Sequence, residues 1–223
     1  MIGRFSDDLR SGSAPIWEAQ HAHPFVRGIA DGTLPDPVFA HFLAQDYVFL
    51  VAYARLLALG TARAPDLATM ERFAALTQAI LTEEMALHRA LCAEVGLDAA
   101  ALERTVPAPT TQAYTDFLLR TASLGDVAEL AAALLPCMWG YAEIGARLAD
   151  GPRPDSPRYA AWIDTYADPG FQELATWCRG LVDDLGRDAA PAARERMAFA
   201  FRTCSRHELA FWEMAWTQET WPV

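Results

Sequence analysis

DPVFAHFLAQDYVFLVAYARLLALGTAR, from Asp36 to Arg63, reads as one long helix. Its Phe39, Phe42, Leu43, Val48, Leu50 and Leu57 fall mostly at the three- and four-residue spacing that stacks side chains on one helical face. The rest of the chain has the same bias. Ala and Leu together number 68 against 15 for Val and Ile, which favours helix over strand by side-chain entropy alone. We expect an all-α helical bundle with almost no sheet. A length of 223 residues suits one large core, and no linker divides it, so the expectation is one domain spanning residues 1–223.

Outward from that helix, punctuation by Gly or Pro recurs at intervals of roughly 20 to 30 residues. On the N-terminal side, SAPIWEAQ opens a short helix after Ser13 with Pro15 in its first turn, and HPFVRGIADGTLP then turns the chain through two glycines. On the C-terminal side, Pro65 and Asp66 restart the chain into a second long helix that ends near Gly96. PAPTT leads into a helix ending before Gly125, and Asp126 with Glu129 forms a capping box for the next. Ser156 and Asp168, each followed by proline, read as N-caps with Pro at the first helical position. The final helix runs from about Pro191 to Trp216.

Charge narrows the chemistry. With 18 basic against 29 acidic residues the net charge is -11 and no basic stripe exists, which argues against nucleic acid and anionic membrane as partners. All 18 basic residues are arginine, so a lysine Schiff base and a phosphate-loop lysine are excluded. The first ten residues carry Arg4, Asp7, Asp8 and Arg10 and cannot form the apolar centre of a signal peptide. The longest uncharged stretch, Leu130 to Ala142, is too short to span a bilayer, so a cytoplasmic location is expected. Cysteines 92, 137, 178 and 204 lie far apart without ligand spacing, which suits reduced thiols.

Several helices carry polar groups among apolar ones. In ALLPCMWGYAEIG, residues 133–145, Cys137 and Tyr141 stand four apart and share a face, and Pro136 should kink or locally open the helix beside the thiol. From this segment alone, a buried free cysteine is more often a small core hydrophobe than a site residue. Asp46 shares a stripe with Phe49, Leu50 and Tyr53, where it must reach solvent, anchor a hydrogen bond or serve a ligand. Glu208 shares a face with Phe211 and Trp212, where desolvation would fit it to carry protons, unless it merely pairs with Arg202 or Arg206. Glu84 and His88 stand at i, i+4, a spacing that could hold a metal with Glu143 and His207 recruited from elsewhere. No second matching pair accompanies them on another helix, so they read better as a local pair or as support for neighbouring groups, and no metal is expected. Tyr114, Tyr141 and Tyr166 complete a set suited to a flat aromatic ligand with polar edges.

WEAQHAHPFVRGIADGTLP, HFLAQDYVFL, EEMALHR, LLPCMWGYAEIG, WIDTYAD and HELAFWEMAW, in this order, resemble the TenA (thiaminase II) family from near residue 5 to near residue 217. The resemblance implies a haem oxygenase-like helical fold, a homotetramer, and neither haem nor other cofactor. It implies hydrolysis of aminopyrimidines in thiamin salvage, with 4-amino-5-aminomethyl-2-methylpyrimidine giving hydroxymethylpyrimidine and ammonia, and slow cleavage of thiamin. Residue by residue, it places the nucleophile on Cys137, the acid/base glutamate on Glu208 and the pyrimidine-binding aspartate on Asp46. It places the pocket tyrosines on Tyr114, Tyr141 and Tyr166, and an aromatic wall on Phe211. One position departs from the pattern. Where the family commonly has a tyrosine whose hydroxyl approaches the cysteine, this chain has Phe49.

Overall fold

A computed structural model of the chain describes residues 3–222, and among these no strand occurs. In chain order the helices are α1 (Phe5–Ser11), α2 (Ala14–His21), α3 (Pro24–Ala30), α4 (Asp36–Arg63) and α5 (Leu67–Ala79). A π-helical turn, Ile80–Glu84, joins α5 to α6 (Met85–Glu94). There follow α7 (Ala99–Glu103), α8 (Pro109–Leu124), α9 (Val127–Ala149), α10 (Pro157–Ala167), α11 (Pro169–Arg187) and α12 (Pro191–Thr217). The all-α expectation holds.

The boundaries that side chains encode are where the residue types place them. Asp66, Asp126 and Asp168 each accept a hydrogen bond from a first-turn amide, those of Thr69, Glu129 and Gly170. Ser156 occupies its N-cap position without such a bond. After α6, Gly96 adopts φ 81° while Leu97 N bonds Cys92 O and Gly96 N bonds Ala93 O, the pairing that ends a helix on a left-handed glycine. The second long helix therefore stops as expected, but it is interrupted by the π turn.

Two segments differ from the sequence reading, and a third, α1, is a helix that the reading leaves unassigned. PFVRGIA forms α3 rather than a turn, because Pro24 pre-sets the first helical φ and His23 Nδ1 caps the Phe25 amide at 3.2 Å. α1 forms because Asp183 of α11 takes the Ser6 amide at 2.7 Å and Arg4 Nε at 2.6 Å. Pro136 does not open its helix. α9 continues through it, with Ala131, Ala132 and Ala133 buried on the preceding turn, so the missing N–H is tolerated within a packed segment.

The chain groups into two compact units. Among the described residues, the first comprises those up to 34 and 131–212, the second 35–130 and those from 213 onward. In the first, α1 packs on α11, α10 on α11 and α2 on both α1 and α3. Trp17 lies against Phe201 and donates from Nε1 to Ser205 Oγ at 3.0 Å. In the second, α4 is the hub, meeting α5, the π turn, α6, α7 and α8. The helices α4 and α9 are long and apolar enough to cross a membrane, but 61% and 67% of their most apolar windows are buried within the protein, as in core helices.

The first unit also holds an ion-pair network around Glu143. Arg10 Nη2 lies 2.8 Å and His21 Nε2 2.9 Å from its Oε1, with Arg147 one turn on. Burial pushes the Glu143 carboxyl up, but the hydrogen bonds and charges of His21 and Arg10 outweigh it and bring it down to about 2. A carboxylate depressed in the fold contributes stability that is complete above its unfolded value and lost as pH falls toward the folded one. With a side chain 19% exposed, this contribution is about 3 kcal/mol at most. Glu143→Gln should therefore lower Tm at pH 7 and flatten its decline between pH ~5 and ~2. An unchanged pH dependence of Tm would show that the network does not stabilise the fold.

Candidate active site

In the first unit, the side of α9 that presents Cys137 presents Tyr141 one turn later. Cys137 is partly exposed, whereas Cys92, Cys178 and Cys204 are buried, and all four are reduced thiols. Tyr141 enters an aromatic cluster. Its ring centre lies 4.8 Å from Tyr166, 5.1 Å from Trp212 and 6.0 Å from Trp162, all tilted. Trp162 and Tyr166, one turn apart on α10, approach to 4.6 Å, and Phe25 of α3 stands 5.2 Å from Trp212. Such mutually tilted rings offer faces and edges to a flat ligand.

Polar contacts fix this cluster. Trp212 Nε1 donates to Gln20 Oε1 at 3.3 Å, and Gln172 Nε2 of α11 donates to Ala142 O and Tyr166 O at 2.9 and 2.8 Å. One amide thus ties α9, α10 and α11 together beside Tyr166. Glu208, 3% exposed, and the buried Phe211 both come from α12. Burial, and secondly the charge of Glu208, push the Cys204 thiol one turn earlier well above its ordinary value. That thiol stays protonated.

In the second unit, Phe49 is buried with its ring centre 5.0 Å from Tyr114 of α8 and 5.4 Å from Tyr53. The register that buries Phe49 also carries Asp46 inward, where it is 7% exposed. Burial pushes the Asp46 carboxyl up to about 7. His88 makes its contacts with α4, its Nε2 2.7 Å from Leu43 O and its Nδ1 3.5 Å from Asp46 Oδ2. Glu84, at the end of the π turn, is pushed up to about 7 by burial and then by the charge of Asp46. Both members of the pair singled out for its spacing thus interact with Asp46, His88 by contact and Glu84 through like charge.

Among the described residues no three His, Cys, Asp or Glu side chains are grouped to hold a metal ion. Glu143, the carboxylate that a metal site would have recruited, is committed to Arg10, His21 and Arg147. Two members of the aromatic cluster, Trp162 of α10 and Trp212 of α12, are not singled out as site residues by sequence reasoning. Each stands four residues from a candidate, Tyr166 and Glu208 respectively, and that spacing is the signal that could have found them.

Residues 11–218 match the TENA/THI-4/PQQC family. The chain belongs to this family. It is 43% identical over 218 residues to an aminopyrimidine aminohydrolase of Halalkalibacterium halodurans, with 97% of each chain covered. The crystal structure of a TenA family transcription regulator from a Silicibacter species superposes with a TM-score of 0.90 at 36% identity, covering 96% of this chain and 97% of that one. A domain with a heme oxygenase-like fold from Shewanella denitrificans, 12% identical, superposes with a TM-score of 0.74 over 95% of this chain and 92% of its own. The haem oxygenase-like expectation for this TenA-family chain therefore holds.

Proposed function

We propose that this chain is an aminopyrimidine aminohydrolase that uses Cys137 as its nucleophile. The observation that carries the reading is full-length similarity to a relative of that name, in a chain whose one partly exposed thiol stands a turn from an aromatic cluster. The Cys137 thiolate adds to an electron-poor ring carbon, and a ring nitrogen takes up a proton. Ammonia then departs from the aminomethyl group, water adds in its place, and the thiolate leaves. A thiol is only a few per cent ionised near neutral pH, so a base must activate it, and Glu208 is assigned that role. Tyr141, Tyr166 and Phe211 are assigned to stacking and orientation. Recognition of the pyrimidine edge is assigned to Asp46, with Phe49 and Tyr114 beside it. The whole chain, residues 1–223, works as one domain in a cytoplasmic homotetramer, and thiamin is a slower substrate.

The test is ammonia release over a panel of aminopyrimidines and thiamin. We expect the aminomethylpyrimidine to turn over fastest, and no release from any member would overturn the reading. A regulatory role through DNA is disfavoured by the net charge of -11, and a salt-sensitive DNA shift at physiological ionic strength would reverse that judgement.

Phe49 supplies a finer test. If a tyrosine hydroxyl at this position helps polarise the thiol, Phe49→Tyr raises turnover about tenfold, the value of one recovered hydrogen bond of ~1.4 kcal/mol. The gain shrinks at alkaline pH, where the thiol ionises unaided. Unchanged or lower kcat across the pH range would show that the thiol is activated by another route.

A further inference from the structure

The contacts of His88 dictate where protons sit beside Asp46. Leu43 O, 2.7 Å from His88 Nε2, can only accept a hydrogen bond, so Nε2 carries a hydrogen. In the neutral ring Nδ1 is then a bare lone pair, and Nδ1 is the atom 3.5 Å from Asp46 Oδ2. Both residues are buried, at 6% and 7% exposure, so a carboxylate facing a lone pair there is repelled with little solvent to screen it. One proton between them removes the conflict. Glu84 adds a second carboxyl at the end of the π turn, a helical irregularity that recurs at functional sites.

We propose that Asp46 and His88 share one proton at neutral pH, with His88 and Glu84 as positioning residues that make the Asp46 carboxyl a donor to a pyrimidine ring nitrogen. This rests on the assignment of Asp46 to the pyrimidine edge. As the Cys137 thiolate bonds to the ring carbon, the shared proton passes to the ring nitrogen, leaving an Asp46 carboxylate beside neutral His88. When the thiolate departs from the product ring, the nitrogen returns that proton to Asp46. The proton for departing ammonia, and the one released by adding water, are exchanged through Glu208, so the enzyme is regenerated.

The electrostatics agree in direction. Burial raises Asp46 to about 7 and lowers His88, against the opposing hydrogen bond to Leu43 O, so the carboxyl holds the proton more firmly than the ring. Other titratable groups seen to interact with Asp46 are Glu84 from the π turn and Cys92 from α6. Burial and the charge of Asp46 push the Cys92 thiol up to about 12, so it remains neutral. Tyr114 of α8 lies beside Phe49, one turn further along α4.

The test has two arms on the full chain. In ¹⁵N-histidine NMR, His88 should show the Nε2–H tautomer, with an Nδ1 signal that titrates near pH 7 and ceases to titrate in Asp46→Asn. An imidazolium persisting from pH 5 to 9, or an Nδ1 signal indifferent to Asp46→Asn, would overturn the proposal without any substrate being present. In the kinetic arm, Glu84→Gln removes a neighbouring negative charge and should move the alkaline limb of kcat/KM down by about one pH unit. Intact hydrolysis with an unmoved limb would sink this inference alone, whereas absence of hydrolysis would sink the aminohydrolase reading and leave the NMR arm to decide.

Discussion

Cys137→Ala should lower ammonia release about a thousandfold or more while hydroxymethylpyrimidine still binds, because the covalent route loses its nucleophile and the aromatic cluster is untouched. No other cysteine can take over. Cys92 is pushed up to about 12 by burial and by Asp46, Cys204 lies well above its ordinary value, and Cys178 is buried. Only Cys137 combines partial exposure with a place one helical turn from Tyr141 and its aromatic cluster. A thiol-alkylating reagent should therefore modify Cys137 first, with hydroxymethylpyrimidine protecting it. Activity of Cys137→Ala within tenfold of the parent would remove the cysteine from the mechanism.

How much of the fold is legible in the sequence depends on where each determinant resides. Local determinants were legible. α4 begins at Asp36 and ends at Arg63 as its pattern requires, and the aspartates before α5, α9 and α11 cap them. Determinants distant in the chain were not. α1 depends on Asp183, and no local pattern announces that contact. α3 starts on a histidine cap, a residue type outside the usual Ser, Thr, Asp and Asn set.

The candidate site divides along the same line. Cys137 with Tyr141 and Asp46 with Phe49 could be read as faces of single helices, because helical periodicity alone relates them. For Trp162 the sequence holds only its four-residue spacing from Tyr166, and its distances to Tyr141 and Tyr166 are what separate it from ordinary core aromatics. The spacing of Glu84 and His88 was visible, but the approach of His88 to Asp46 requires α6 to pack on α4, a contact between helices that no local pattern announces.

The largest stability effect is expected at Gly145. A Cβ there would stand 2.5 Å from the Tyr166 carbonyl carbon, 2.7 Å from Tyr166 Cβ and 2.8 Å from Tyr166 O. Backbone atoms cannot rotate away, so Gly145→Ala must part α9 from α10 and shift Tyr166 relative to Tyr141. We expect a loss of about 3 kcal/mol, a fall in Tm of roughly 10 °C for a chain of this size, and a raised KM. Gly180 on α11 is the matched control. A Cβ there meets nothing within 4 Å, so Gly180→Ala should add about 0.5–1 kcal/mol through helix propensity alone and leave KM unchanged. If both variants keep the parental Tm and KM, the close approach of α9 to Tyr166 does not hold the aromatic cluster in place. If only Gly145→Ala falls, the absence of a side chain at that position is what lets Tyr166 reach Tyr141.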